Sequence, residues 1–230
     1  MQKFFKKLYV PVRQVQRFFE ARKFERSTYL RHCKGLIHVG ANAGQERGTY
    51  ARLGLDVLWV EPIPQVFAEL VKNLNGFPKQ KAVEALVTDQ DGAEVTLQIS
   101  SNGGKSSSIL APAEHREIWS DIEFKSSLRL IGNSLPTVLA QHSIDANKYD
   151  ALLLDTQGAE LLILRGASSM LKQFKYIQAE AANFEAYVGC PRVPDIVEFV
   201  ERHGFKIMPD TMAGWDDGAR RHYDLVFQRI

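Results

Sequence analysis

A chain of 230 residues, 45% hydrophobic and 24% charged, suits one sizeable domain with an appendage and can bury a full core. It holds no apolar run near the ~18 residues of a membrane-spanning helix, and no repeat, low-complexity tract or nucleic-acid-binding motif, so it is read as a folded protein with no nucleic-acid partner. The net charge of +2 conceals an asymmetry: residues 1–34 carry ten Lys/Arg against two Glu, and the remainder nineteen against twenty-five, a head of +8 on a body of −6.

From Phe4 to Phe19, apolar residues recur at Phe4, Phe5, Leu8, Val12, Val15 and Phe19, spaced for one helical face, with Lys3, Lys6, Lys7, Arg13 and Arg17 between them. Pro11 can begin a helix but not continue one, which predicts a break there. The segment is therefore a basic amphipathic extension, residues 1–34. It either lies on an anionic membrane or packs against its own domain or a second copy in a homo-oligomer. Leu8 to Val12 is too short and too Pro-interrupted for a secretory signal. Cys33 and Cys190 form no metal or redox pattern, and free thiols suit a reducing cytoplasm.

The domain proper, residues 35–230, opens on a strand ending in Leu36-Ile-His38-Val-Gly40-Ala-Asn42-Ala-Gly44, then a helix, then a second strand, Asp56 to Glu61. Strand, glycine turn, helix, strand and acid make the opening unit of a nucleotide-binding α/β fold. Gly40 permits a sharp turn and close backbone approach, and Gly44 lets a helix sit tightly on the strand. Glu61 stands 21 residues beyond Gly40, near the ~20-residue spacing at which an acid meets ribose hydroxyls. The spacing G-x-x-x-G departs from the G-x-G-x-x-G that cradles a pyrophosphate. With Asn42 offering an amide in the turn, the unit suits a nucleoside bearing an amino-acid end, S-adenosylmethionine. An NAD(P)-dependent oxidoreductase on a similar sheet is the alternative.

Pro64 to Leu74 reads as a helix, Lys81 to Val87 as the third strand, and Glu94 to Ile99 as an alternating strand after an Asp91-Gly92 turn. Ser101 to Ser108 is a polar, flexible loop, either a connector or substrate-facing. Residues 111–134 resist assignment beyond a short strand at Ser127 to Ile131. A short helix over Pro136 to Gln141 leads to a buried strand, Tyr149 to Asp155, which again ends in an acid. A helix over Ala159 to Leu171 and a strand, Tyr176 to Glu180, follow. Pro194 to His203 forms a helix closed by Gly204. Phe205 to Pro209 and Tyr223 to Arg229 form an antiparallel pair. The pattern predicts an α/β fold with a doubly wound, mostly parallel seven-stranded sheet, a C-terminal antiparallel hairpin and an N-terminal helical extension. Right-handed crossovers place Glu61, Asp155 and Glu180 on the edge where such sheets bind ligands.

The run Asp155-Thr-Gln-Gly-Ala-Glu160-Leu-Leu-Ile-Leu-Arg165-Gly-Ala167 resembles the D-x-[EQ]-G-x-E-x-x-x-L-[RK]-G-A signature of FkbM-type S-adenosylmethionine-dependent methyltransferases. His38 to Glu46 is similar to that family's first motif and Glu61-Pro62 to its following acid. Lys105 to Ile109 and Glu180 to Tyr187 match two further blocks. The resemblance spans roughly Gly35 to Phe227. It implies a class I, Rossmann-like methyltransferase fold, S-adenosylmethionine as cofactor, and methylation of a hydroxyl on a saccharide, glycan or other small acceptor.

By that resemblance, His38, Gly40, Asn42, Gly44, Glu61, Glu84 and Asp155 form the cofactor-binding set. His38 stands where many members carry an acid for the methionine amino group, and either substitutes through a ring nitrogen or leaves that work to backbone carbonyls. Glu61 faces the ribose diol and Glu84 the adenine amino group. Asp155, Glu160 and Glu180 are the catalytic candidates, because a hydroxyl acceptor needs a base within hydrogen-bond reach. Two rival readings stand beside these: Glu160 as a first-turn acid favoured by the helix dipole, and His222 as an ordinary loop histidine. No spacing demands a metal, so no metal site is assigned. A non-catalytic scaffold of the same fold at a membrane surface remains the non-enzyme alternative.

Overall fold

The computed structural model describes residues 28–209 and 212–230. The amphipathic stretch of residues 4–19, and with it the expected membrane or partner contact, lies outside the described residues. Among the described residues no helix is long and apolar enough to cross a membrane.

The elements run β1 (Gly35–Val39), α1 (Arg47–Arg52), β2 (Asp56–Glu61), α2 (Pro64–Asn73), β3 (Gln80–Glu84), β4 (Leu86–Val87), β5 (Ala93–Ser100), α3 (His115–Ile118), β6 (Phe124–Asn133), α4 (Leu135–Gln141), β7 (Ala151–Leu154), α5 (Glu160–Gly166), β8 (Tyr176–Ala182), α6 (Val193–Arg202), β9 (Phe205–Ile207), β10 (Met212–Asp216) and β11 (Arg221–Arg229). The main sheet has the order β10-β11-β8-β7-β1-β2-β3, with β9 also pairing on β11. Strands β3, β2, β1, β7 and β8 are parallel, and β11 runs antiparallel to β8, β9 and β10. The sheet thus has eight strands where the sequence pattern gives seven. The extra one, β10, falls between Pro209 and Tyr223, in the Gly- and Asp-rich connection between the two expected C-terminal strands.

Alternation along the central strands builds two cores. Ile37, Val39, Leu58, Val60, Leu152 and Leu154 face Leu135, Ile163, Leu164 and Ile196 of α4, α5 and α6. Their neighbours Leu36, Val57, Trp59, Ala151 and Leu153 face Tyr50 and Leu70 of α1 and α2. Each fully buried side chain of this size contributes about 1.5–3 kcal/mol. Tyr29 and Leu30, in a 3-10 turn at Thr28–His32, join the second core, and the Tyr29 hydroxyl donates to Gln178 Oε1 at 2.8 Å. The packed domain therefore takes in residues that composition assigns to the head.

The third strand does not continue to Val87. It stops at Glu84, and after Ala85 the chain leaves the main sheet. Leu86 and Val87 pair in parallel with Gly132 and Asn133 of β6, which carries β5 antiparallel on its other side. Residues 111–134 resist reading because they hold a four-residue helix and a strand whose faces are both largely solvated. Helix α5 is also shorter than its apolar pattern: it ends at Gly166, where a Cβ would lie 2.4 Å from the Thr88 carbonyl oxygen. That close approach sets the end of α5 against the chain leaving the small sheet.

Strand order reverses between β1 and β7. In an open α/β sheet that switch point leaves a crevice at the strands' C-terminal ends.

Candidate active site

The first wall of the crevice is the turn after β1. Gly40 has φ +84°, and a Cβ there would stand 1.9 Å from the Asp155 carbonyl oxygen, so the ends of β1 and β7 meet main chain to main chain. The amides of Gly40 and Ala41 both donate to the Val60 carbonyl, at 3.0 and 3.1 Å, and Gly44 N–H donates to Ala41 O at 3.0 Å. Gly44 makes room for α2, not for the helix that follows it: its missing Cβ would meet Leu70 Cδ1 at 2.7 Å.

Glu61, at the end of β2, accepts from Asn42 N–H through Oε2 and from Ile63 N–H through Oε1, each at 2.9 Å. Only 4% of its surface is exposed. Burial pushes its pKa up to about 7 against the lowering effect of those two amides. One amide per oxygen leaves acceptor capacity on both.

The opposite wall is the turn between β7 and α5. Glu160 accepts at Oε1 from the Thr156 amide and hydroxyl, at 2.7 and 3.1 Å, and at Oε2 from Gly158 N–H at 3.0 Å. The carboxylate is buried and folds back to hold its own turn; burial pushes its pKa up to about 7. Gln157, at φ +55°, aims its amide NH2 at two carboxylates, Asp155 Oδ1 at 2.8 Å and Glu180 Oε2 at 2.7 Å. The Tyr187 hydroxyl lies 3.1 Å from Gln157 Oε1 and 3.0 Å from the Ser106 carbonyl. Beyond Glu180, His222 Nδ1 stands 3.8 Å from Oε1. Its ring is walled by Trp119, Phe184 and Trp215, with centroids at 5.5, 5.1 and 6.3 Å.

The raised pKa of Glu160 has a measurable consequence. A carboxyl that titrates near 4.5 unfolded and near 7 folded contributes stability that is complete below the lower value and lost as pH rises through the upper one. The wild type should therefore lose more stability than Glu160→Gln between pH 5 and pH 8 in urea unfolding. Parallel pH curves would contradict this placement of the carboxyl.

The third wall is the loop after β5, which is ordered rather than flexible. Ser100 Oγ donates to Asn102 Oδ1 at 2.7 Å and accepts from Ser106 N–H at 3.0 Å, while Asn102 Nδ2 donates to Ser106 Oγ at 2.9 Å. Asn42 Nδ2 donates to the Gly103 carbonyl at 3.0 Å, and Ser108 Oγ donates to the Gln157 carbonyl at 2.7 Å. The loop thus spans the crevice and is fastened to both turns. It borders an open cleft, with Ile63, Leu86, Val87, Leu97 and Ile109 as apolar lining and Asn42, Glu61, Lys105 and Asp155 as polar lining.

Of the residues singled out from sequence, Gly40, Asn42, Glu61 and Asp155 come together on this cleft, and Glu180 is joined to it through Gln157. Four do not line it: Gly44 makes room for Leu70, Glu160 folds back on its own turn, and the other two are His38 and Glu84. His38 projects into the second core, where its ring stacks on Trp59 at 4.9 Å and Nδ1 lies 3.2 Å from the Tyr50 hydroxyl. Strand alternation explains this, since Val39 takes the face toward the cleft. Glu84 is exposed at the end of β3, outside the lining; the chain turns there, and Ala85 to Val87 line the cleft instead. His222 is the second residue of β11 and is not on a loop. Gln157 and Tyr187 carry the bridge between the carboxylates, yet received no role from sequence. The signal was the Gln157-Gly158 turn beside two acids. Among the described residues no group of three or more His, Cys, Asp or Glu side chains could hold a metal ion.

The Methyltransferase FkbM domain profile matches residues 38–207, most of the chain and all three walls of the cleft. The chain belongs to the FkbM methyltransferase family. Its cofactor is accordingly S-adenosylmethionine, and the oxidoreductase alternative falls. A curated relative, the 2-O-methyltransferase NoeI of Sinorhizobium fredii (strain NBRC 101917 / NGR234), is 21% identical over 162 residues, covering 67% of this chain. The chain spans 65%, just under two thirds, of that relative's length. The magnesium protoporphyrin IX methyltransferase ChlM of Synechocystis PCC 6803 with bound SAM superposes with a TM-score of 0.53 at 12% identity, over 99% of this chain and 87% of its own. Its SAH-bound form gives 0.52 at 11% identity, over 98% and 90%. These superpositions establish a class I methyltransferase fold for this FkbM chain.

Proposed function

We propose that this FkbM domain transfers a methyl group to a hydroxyl of a saccharide or other small glycan acceptor. The observation that carries the reading is the Asp155–Gln157–Glu180 bridge, which runs from the cofactor cleft to a largely buried carboxylate beside an aromatic wall. The name of the 2-O-methyltransferase relative supports oxygen as the atom methylated.

The donor set of the cleft fits the cofactor. Glu61 offers two acceptor oxygens, matching a vicinal diol; Ile63, Leu86, Val87 and Ile109 offer an apolar slot for a base; Asn42 and Asp155 offer polar partners for an amino-acid end. Bound S-adenosylmethionine supplies an electrophilic methyl group on a cationic sulfur. The chain aligns the acceptor hydroxyl with that methyl and excludes water, and Glu180 takes the hydroxyl proton. Asp155, on the cleft side of Gln157, faces the cofactor. Glu160, with both oxygens engaged by its own turn, holds that turn in shape.

Isothermal titration should show one S-adenosylhomocysteine site per chain, weakened about tenfold or more in Glu61→Ala, since charge-assisted hydrogen bonds of about 1.5–3 kcal/mol are lost. Affinity should also fall as pH drops below about 7, because protonation removes Glu61's charge. Glu61→Gln should abolish that pH dependence. Transfer of labelled methyl to an oligosaccharide acceptor separates an enzyme from a scaffold that merely binds. Cofactor binding without transfer to any hydroxyl-bearing acceptor would overturn the catalytic reading.

A further inference from the structure

The amino-acid end of the proposed cofactor carries a carboxylate, and an anion in a cleft needs N–H groups or a cation. Many of the backbone amides around it are committed elsewhere. In the turn after β1, Gly40 and Ala41 N–H donate to Val60 O, Asn42 N–H to Glu61 and Gly44 N–H to Ala41 O. Across the cleft, Asp155 N–H donates to Val39 O, and the amides of Thr156 and Gly158 both go to Glu160. The two carboxylates lining the cleft, Glu61 and Asp155, would repel an anion.

One cationic residue is among the described residues lining the cleft: Lys105, which is exposed at its rim. The loop that carries it is held over the turn after β1. Asn42 Nδ2 grips the Gly103 carbonyl, and Gly104, at φ +80°, lies so close that a Cβ would meet Ile63 Cδ1 at 3.0 Å and Val66 Cγ2 at 3.3 Å. On the far side of Lys105, Ser106 is tied to Ser100, Asn102 and Tyr187. The lysine thus springs from a short stretch fixed at both flanks.

We propose that Lys105 is the binding residue for the α-carboxylate of the cofactor, and that the loop between β5 and α3 is its carrier. This rests on the reading of the cleft as the S-adenosylmethionine site. The lysine gives the amino-acid end a full positive charge, which the neutral amides of the two turns do not. It also makes the loop after β5, and not only the β1 turn, part of cofactor selection.

The test compares two ligands that share the nucleoside and thioether but differ in the amino-acid end. S-adenosylhomocysteine and 5′-methylthioadenosine are titrated into the full chain, wild type, Lys105→Met and Lys105→Arg. Lys105→Met should weaken S-adenosylhomocysteine about tenfold or more and leave 5′-methylthioadenosine unchanged. Lys105→Arg should recover most of the loss. Equal losses for both ligands would mean that the substitution disturbs the loop, and would overturn the proposal, as would unchanged binding of both. If the wild type binds neither ligand, it is the placement of the cofactor cleft that fails.

Discussion

Glu180→Gln should lower methyl transfer to a hydroxyl acceptor by about 10²–10⁴-fold, the usual contribution of a positioned general base, while S-adenosylhomocysteine affinity stays within about twofold. The separation follows from the position of Glu180: it stands off the cofactor cleft, one glutamine away from Asp155, and its second oxygen faces His222 and the aromatic wall. Gln keeps the shape and can still meet Gln157, but it cannot accept a proton. Asp155→Asn should behave differently, weakening cofactor binding along with rate, because Asp155 lines the cleft itself. Single-turnover rates with saturating cofactor, measured beside titrations, distinguish the two. If Glu180→Gln keeps the wild-type rate on a competent acceptor, the proton leaves by another route.

A second large effect is expected from a single methyl group at Gly40. The Cβ of Gly40→Ala would stand 1.9 Å from the Asp155 carbonyl oxygen and 2.7 Å from its carbon, main-chain atoms with no rotamer to change. The φ of +84° adds the left-handed penalty of about 1–2 kcal/mol. Relief requires the ends of β1 and β7 to separate, at the Asp155 N–H to Val39 O bond of 3.1 Å. The expected cost is about 3–5 kcal/mol, in the range reserved for strain and core overpacking, or roughly 8–15 °C in Tm for a chain of this size. Gly54→Ala is the control. Its φ of +72° carries the same backbone penalty, but no atom lies within 4 Å of the added carbon. Thermal unfolding should therefore show a loss several-fold smaller at Gly54; equal losses would mean that contact at Gly40 contributes nothing.

The sequence made the parallel strands legible because each is an apolar run bounded by glycine, proline or an acid. Gly40, Glu61 and Asp155 were legible because they sit where such runs end. Fine placement was harder. His38 lies one residue before Val39, and strand alternation alone decides which of the two faces the cleft. The run Lys81 to Val87 looks continuous, yet pairing moves from β2 to β6 within it, a tertiary choice that no local pattern marks. The loop after β5 has the composition of a flexible connector. Its serines and asparagines instead satisfy one another and fasten the loop to both turns. Glu160 fits a first-turn helix acid as well as a catalytic one, and only its three donors decide where its oxygens go.

The contact of Gly40 with Asp155 also bears on the order in which the chain assembles. Strand β1 pairs with β7 in the register Leu36 to Ala151, so closing the middle of the sheet means looping out everything between them. The β5–β6 ladder is far more local, and its closure costs less chain entropy. The small sheet and its attached loop can therefore organise early, while the two turns that flank the cleft become neighbours only when the sheet's centre zips. An intermediate with the hairpin formed and the centre open would have no cleft at all. Cofactor added during refolding should then leave the early phase unchanged and slow only the unfolding of the finished domain.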